Sequence, residues 1–115
     1  MANLLSYVNQ VAVTDWAVIP VGSMTNVANA STAQTLTAPA GGTILFIQSD
    51  GAAGSTEYIR YTIDGTTPTT TLGFLNVPDA GMVRIDLAAG QVVKVISGGA
   101  TQGVNYQWAR SARDE

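Results

Sequence analysis

Tyr58-Ile-Arg-Tyr-Thr-Ile-Asp-Gly-Thr-Thr-Pro-Thr-Thr-Thr-Leu-Gly73 is the stretch that decides the fold. From Tyr58 to Asp64 it alternates. Ile59, Tyr61 and Ile63 fall on one face of a strand, and Tyr58, Arg60, Thr62 and Asp64 on the other. Asp64-Gly65 then tolerates the left-handed backbone of a tight turn. Pro68 fixes its own φ and has no N–H to give to a ladder. The stretch therefore reads as a half-buried strand running into a rigid, threonine-coated loop.

The same grammar repeats on both sides of it. Thr35–Ala38 is a short strand closed by the turn Pro39-Ala-Gly-Gly42. Thr43–Ser49 is apolar on both faces, as a central strand covered on both sides would be. Asp50–Thr56 is a hairpin loop. Leu72–Val77 is the next strand, Pro78–Gly81 a turn, and Met82–Leu87 a clean alternation with Val83, Ile85 and Leu87 inward. Gln91–Ile96 and Val104–Ala109 follow, separated by the loop Ser97–Gly103, with Tyr106 and Trp108 on the inner face of the last strand.

This spacing of short strands suits a sandwich or a barrel. The reading favoured is all-β: an antiparallel, jelly-roll-like β-sandwich over residues 35–109, with a polar tail at 110–115. Its expected core is Leu36, Ile44, Phe46, Ile59, Tyr61, Ile63, Val83, Ile85, Leu87, Val93, Val95, Tyr106 and Trp108.

Residues 1–34 differ. Leu4, Val8 and Val11 have helical spacing, but Val, Thr and Asn favour an extended arm. Trp16–Val21 reads as a strand that Pro20 demotes to an edge or an end, and Gly22–Gln34 as a loop or extended connection. Leu4, Leu5, Val8, Val11, Trp16, Val18 and Ile19 put apolar area into this arm. Each large apolar side chain is worth about 1.5–3 kcal/mol when buried, so the arm is expected to lie against a neighbouring subunit or shell.

Composition narrows the function. Charged residues make up 11% of the 115-residue chain, against about 25% in typical soluble domains. That points to surface covered by other chains. A net charge of −3, with Arg60, Arg84, Lys94, Arg110 and Arg113 scattered, argues against a nucleic-acid partner, which needs a basic face. No apolar run approaches the ~18 residues of a membrane-spanning helix. The N-terminus has no basic region ahead of its apolar stretch, so it does not read as a signal peptide.

The chain has no Cys and no His. That leaves no thiol nucleophile, no thiolate metal site and no imidazole base. The acids Asp50, Asp64, Asp79 and Asp86 lie in separate turns and strands without calcium-loop spacing. Asp64 and Asp86 could meet across neighbouring strands as a glycosidase pair does, but both occupy solvent-facing positions. Trp16 and Tyr58 are the aromatics expected to be exposed, too few for a sugar platform. No enzymatic activity, cofactor or metal is expected.

Thr32–Gly41, Ile47-Gln48, Ile59–Thr69 and Gly73 together resemble a module of small virion proteins of tailed bacteriophages. In that family an Ala-Gln-x-Leu strand precedes a Pro/Gly turn, and an Arg-Tyr-x-x-Asp-Gly-Thr-x-Pro-Thr strand–turn anchors the next hairpin. The match runs from about Thr32 to Trp108. The Asp50–Glu57 insert is longer than the family's loop, and residues 1–31 lie outside the module.

The resemblance implies a capsid decoration or cement protein on the virion surface, assembled in the host cytoplasm. Its implied partners are itself, as a homo-oligomer with a trimer as first expectation, and the major capsid or another virion protein. A head-fibre, neck or tail component and a carbohydrate-binding module remain the alternatives.

Overall fold

A computed structural model describes residues 17–28, 30–51, 57–88, 90–98 and 103–112. Eight strands and one 3₁₀ turn make up its regular structure. They are β1 (Val18–Val27), β2 (Gln34–Leu36), β3 (Ile44–Ser49), β4 (Ile59–Thr62), β5 (Phe74–Asn76), a 3₁₀ turn at Pro78–Ala80, β6 (Val83–Asp86), β7 (Val93–Ser97) and β8 (Val104–Ser111). The strands form two four-stranded antiparallel sheets packed face to face, ordered β1-β8-β3-β6 and β2-β7-β4-β5.

That order has a simple origin. β1 pairs with β8, β2 with β7, β3 with β6 and β4 with β5. The chain is one long antiparallel hairpin wrapped on itself, and the added pairs β3–β8 and β4–β7 close each sheet. This is jelly-roll topology.

The core lies between the sheets. Leu45, Ile47, Ile85, Val104 and Trp108 come from one, and Leu36, Ile59, Val93 and Val95 from the other, with Leu87 just past β6. Asn76 crosses the gap. Its side-chain oxygen accepts the backbone N–H of Ser49 at 2.9 Å, and its NH₂ donates to the Gly81 carbonyl at 2.9 Å. A side chain of β5 thus satisfies a backbone group at the end of β3 in the opposite sheet, with Asn76 itself 2% exposed.

Several expectations are corrected. Leu45 and Ile47 face the core, so Phe46 stands on the outer face of β3, half-buried, with Arg84 and Gln107 opposite it on the flanking strands. The run is apolar on both faces and carries no alternation to set its phase. Ile44 is buried but also belongs to the outer set. Ile63 is exposed because β4 ends at Thr62 and the chain leaves the sheet there.

The stretch expected to be a loop from Gly22 is strand as far as Val27, with a register shift between Val21 and Thr25 opposite β8. The Gln107 side chain fills that irregularity, donating to the Gly22 carbonyl at 3.0 Å. Pro20 sits within β1, which is an edge strand, as its missing N–H requires. Val21 and Val27 pack against the core, so part of the expected arm is sandwich. At the other end β8 runs to Ser111, past the expected start of the tail.

Candidate interaction surface

β4 and the segment after it are built by a network of short-range bonds. The Asp64 carboxylate accepts the Thr66 N–H at 3.0 Å. That backbone bond holds its pKa below the ordinary value, with help from the Thr66 hydroxyl. Gly65 takes φ +88° at the turn. The Thr62 hydroxyl donates to the Thr66 carbonyl, and Pro68 is fully buried. Thr69 and Leu72 bond each other's backbone, with Thr69 N–H reaching the Leu72 carbonyl at 3.0 Å.

Arg60 fastens the far side of the loop. Its Nε donates to the Thr70 carbonyl at 3.1 Å and its Nη1 to the Gly73 carbonyl at 2.8 Å. Tyr58 supports it from below. The guanidinium lies 5.6 Å from the Tyr58 ring centre, and the Tyr58 hydroxyl also donates to the Thr70 carbonyl. Gly73 has φ +130°, and a Cβ there would come within 3.1 Å of both Arg60 Cβ and the Tyr61 carbonyl. Only glycine lets β5 start so close to β4.

The fixed loop leaves apolar side chains in the open. Leu72 and Phe74 follow directly from it, and Phe74 is 59% exposed although it is paired with Tyr61 on the core side of the sheet. The two rings are 5.5 Å apart and tilted by 42°. β5 and β6 are the last described strands of their sheets on the same side of the sandwich, and no described residue covers the gap between them. One cleft of about 400 Å³ is lined by Tyr61, Ile63, Asp64, Thr66, Leu72 and Phe74. A second of about 400 Å³ adjoins it through Tyr61, Ile63 and Phe74, and continues to Val83, Arg84, Ile85 and Asp86. Burial raises the pKa of the Tyr61 phenol above its ordinary value. Leu75 in β5 and Met82 ahead of β6 are also exposed.

Of the residues singled out from the sequence, Asp64 and Asp86 line these clefts. Leu4, Leu5, Val8, Val11 and Trp16 lie outside the described residues. Val18 is exposed and Ile19 half-buried on β1, the edge strand at the other end of its sheet from β6. Asp64 follows β4 in one sheet while Asp86 ends β6 in the other, so they do not meet across paired strands. Asp50 is occupied, its carboxylate accepting Gly103 N–H at 2.8 Å and Asn26 Nδ2 at 3.0 Å. Tyr58 is half-buried beneath Arg60 rather than free for stacking.

Sequence reasoning expected contact through the arm, most of which lies outside the described residues, and did not single out the apolar β5–β6 side. A signal for it exists in Leu72-Gly-Phe-Leu75, where Phe74 and Leu75 are adjacent. Neighbouring residues of a strand point to opposite faces, so both cannot enter one core. Comparison with protein-family models, with curated proteins and with solved structures finds no match to this chain.

Proposed function

We propose that the protein is a structural component of a virion, a capsid decoration or cement protein that works by surface contact rather than by chemistry. The observation that carries this reading is the apolar rim of the open β5–β6 side. Ile63, Leu72, Phe74, Leu75 and Met82 are large, apolar and exposed along one flank of the sandwich. Such a grouping marks an interaction site. Scarcity of charge across the whole chain supports the same reading.

The proposed partners are the major capsid protein or another virion protein, and further copies of the chain. The proposed location is the capsid surface, reached by assembly in the host cytoplasm. Jelly-roll topology is shared by capsid and lectin domains and lends support at the level of analogy only. The N-terminal arm, with Leu4, Leu5, Val8, Val11 and Trp16, is proposed as a second contact.

Immunogold labelling of virions tests the assignment. Gold on the head is the expected result. Unlabelled particles would refute a virion role, and gold confined to the tail would move the protein to a tail or neck position. Binding of the full chain, of Phe74→Ser and of a chain lacking residues 1–16 to heads stripped of the protein then separates the rim from the arm.

One observation favours carbohydrate binding as a second reading. The exposed Phe74 ring lines a cleft with Tyr61, Asp64 and Thr66, which combines an aromatic face with polar groups. Glycan-array binding that Phe74→Ser abolishes would favour it over the virion role.

A further inference from the structure

We infer that β6 pairs with β6 of a second copy of this chain, antiparallel and centred on Ile85, to join two sandwiches through one continuous sheet. The inference rests on the self-association proposed above and goes beyond it by naming the edge and the register.

β6 is the last described strand of its sheet, with β3 on its other side. The Leu87 N–H donates to the Thr43 carbonyl at 2.8 Å, and Ile85 and Val83 stand opposite Leu45 and Ile47. In an antiparallel ladder the groups that face a given neighbour alternate along the strand. Val83, Ile85 and Leu87 therefore turn their backbone N–H and C=O toward β3, while Arg84 and Asp86 turn theirs to the open edge. The Ala88 N–H, next along that edge, is capped by the Gln91 side chain at 3.0 Å. Among the described residues, the edge left unpaired is thus a short segment whose bonding groups belong to Arg84 and Asp86.

An incoming antiparallel strand must place residues of the same outward kind opposite these two. Among such registers of β6 against itself, one centred on Arg84 sets arginine against arginine, and one centred on Asp86 sets carboxylate against carboxylate. The register centred on Ile85 sets Arg84 opposite Asp86 of the partner subunit, and Asp86 opposite Arg84 of the partner subunit. Each of these pairs can exchange both of its backbone hydrogen bonds, and each is of opposite charge. Directly opposed unlike charges stabilise a sheet and like charges destabilise it.

Charged side chains on an edge commonly guard it against pairing. Here their order decides otherwise, because plus and minus two residues apart are self-complementary about the residue between them. Both side chains are accessible, 41% for Arg84 and 69% for Asp86, and they already meet each other at 3.1 Å. The same pairing sets Ile85 beside Ile85 of the partner subunit on the core face. It also covers the mouth of the cleft lined by Tyr61, Phe74, Val83 and Ile85.

The test is the mass of the full chain by sedimentation, alone and in charge-swapped forms that circular dichroism shows to be folded. Wild type is expected at an even multiple of 11.9 kDa. Arg84→Asp and Asp86→Arg are each expected to associate on the order of tenfold more weakly. Mixing the two variants in equal amounts restores association as a heterodimer, since every opposed position then carries opposite charges. The double variant R84D/D86R restores it in a single chain.

Restoration on mixing is a result that general damage to the fold would not give. A wild type that stays monomeric up to about 100 μM, a contact then weaker than most specific ones, overturns the inference. So does a trimer, or single variants that remain weak when mixed. Single variants that associate as wild type does overturn the β6 contact while leaving self-association standing.

Discussion

Replacing Asn76 with alanine should be the most destabilising single polar change in the described part of the molecule. The amide makes two bonds of 2.9 Å, one to the Ser49 N–H in the facing sheet and one to the Gly81 carbonyl beyond the 3₁₀ turn. Asn76 is 2% exposed and Ser49 3%, so water does not reach the Ser49 N–H easily. An orphaned buried donor costs about 1–3 kcal/mol. Gly81 is only half-buried, and its lost bond adds about 1 kcal/mol. The sum, about 2–4 kcal/mol, is a large part of the ~5–15 kcal/mol that holds a domain folded.

Urea unfolding followed by tryptophan fluorescence reads the effect. With a slope of about 1–3 kcal/mol/M, the midpoint should fall by roughly 0.7–4 M at unchanged slope. Asn76→Asp keeps an acceptor for Ser49 but turns a carboxylate toward the Gly81 carbonyl, and should cost at least as much. Asn26→Ala removes bonds to Asp50 and Asn105 that are solvent-exposed, and should stay within about 0.5 kcal/mol. An Asn76→Ala midpoint indistinguishable from wild type would refute the claim that this amide ties the two sheets.

Arg60→Lys loses the fork that reaches both Thr70 and Gly73. It should cost about 1 kcal/mol for these partly exposed bonds and speed amide exchange in Thr69–Gly73 more than elsewhere. Gly73→Ala meets a backbone at φ +130° and neighbours 3.1 Å away, and should lower stability by about 1–3 kcal/mol in thermal unfolding. Asp64 has a folded-state pKa below its unfolded one. Its contribution is therefore complete above the unfolded value near about 4 and is lost as pH falls through the folded one. Asp64→Asn keeps the oxygen that accepts Thr66 N–H, so its urea midpoint should depend less on pH between about 6 and 3 than that of wild type.

The strands were legible where one face is wet. Ile59-Arg-Tyr and Val83-Arg-Ile-Asp alternate, and their inward sets are the ones found in or against the core. Ile44-Leu-Phe-Ile gave no phase, because an interior strand apolar on both sides has no polar partner to mark its outside. The sequence reads β1 as ending at Val21, because proline, glycine and serine there suggest a break. At an edge, proline forfeits nothing, and a register shift absorbs the glycine.

The contact surface was the least legible part. Exposure of Ile63, Phe74 and Met82 is a property of where the sheets end, and no local pattern states which strands will be terminal. The pairing rule of the wrapped hairpin does state it: once β3 pairs with β6 and β4 with β5, one open flank lies between β5 and β6.

That flank also explains why the Arg60–Gly73 block is so tightly specified while offering little chemistry of its own. Its bonds are almost all internal. Arg60 reaches Thr70 and Gly73, Asp64 reaches Thr66, and Thr69 reaches Leu72. β5 has only three residues, too few to hold position by ladder bonds to β4 alone. The loop supplies the missing restraint and sets Leu72 and Phe74 at the mouth of the cleft. In the proposed function, the block acts through the side chains it presents, and its rigidity lowers the entropy lost when a partner orders them. Substitutions at its bonding residues Arg60 and Gly73 should weaken that association without touching the interface, whereas substitutions at Phe74 should weaken it and leave the fold intact.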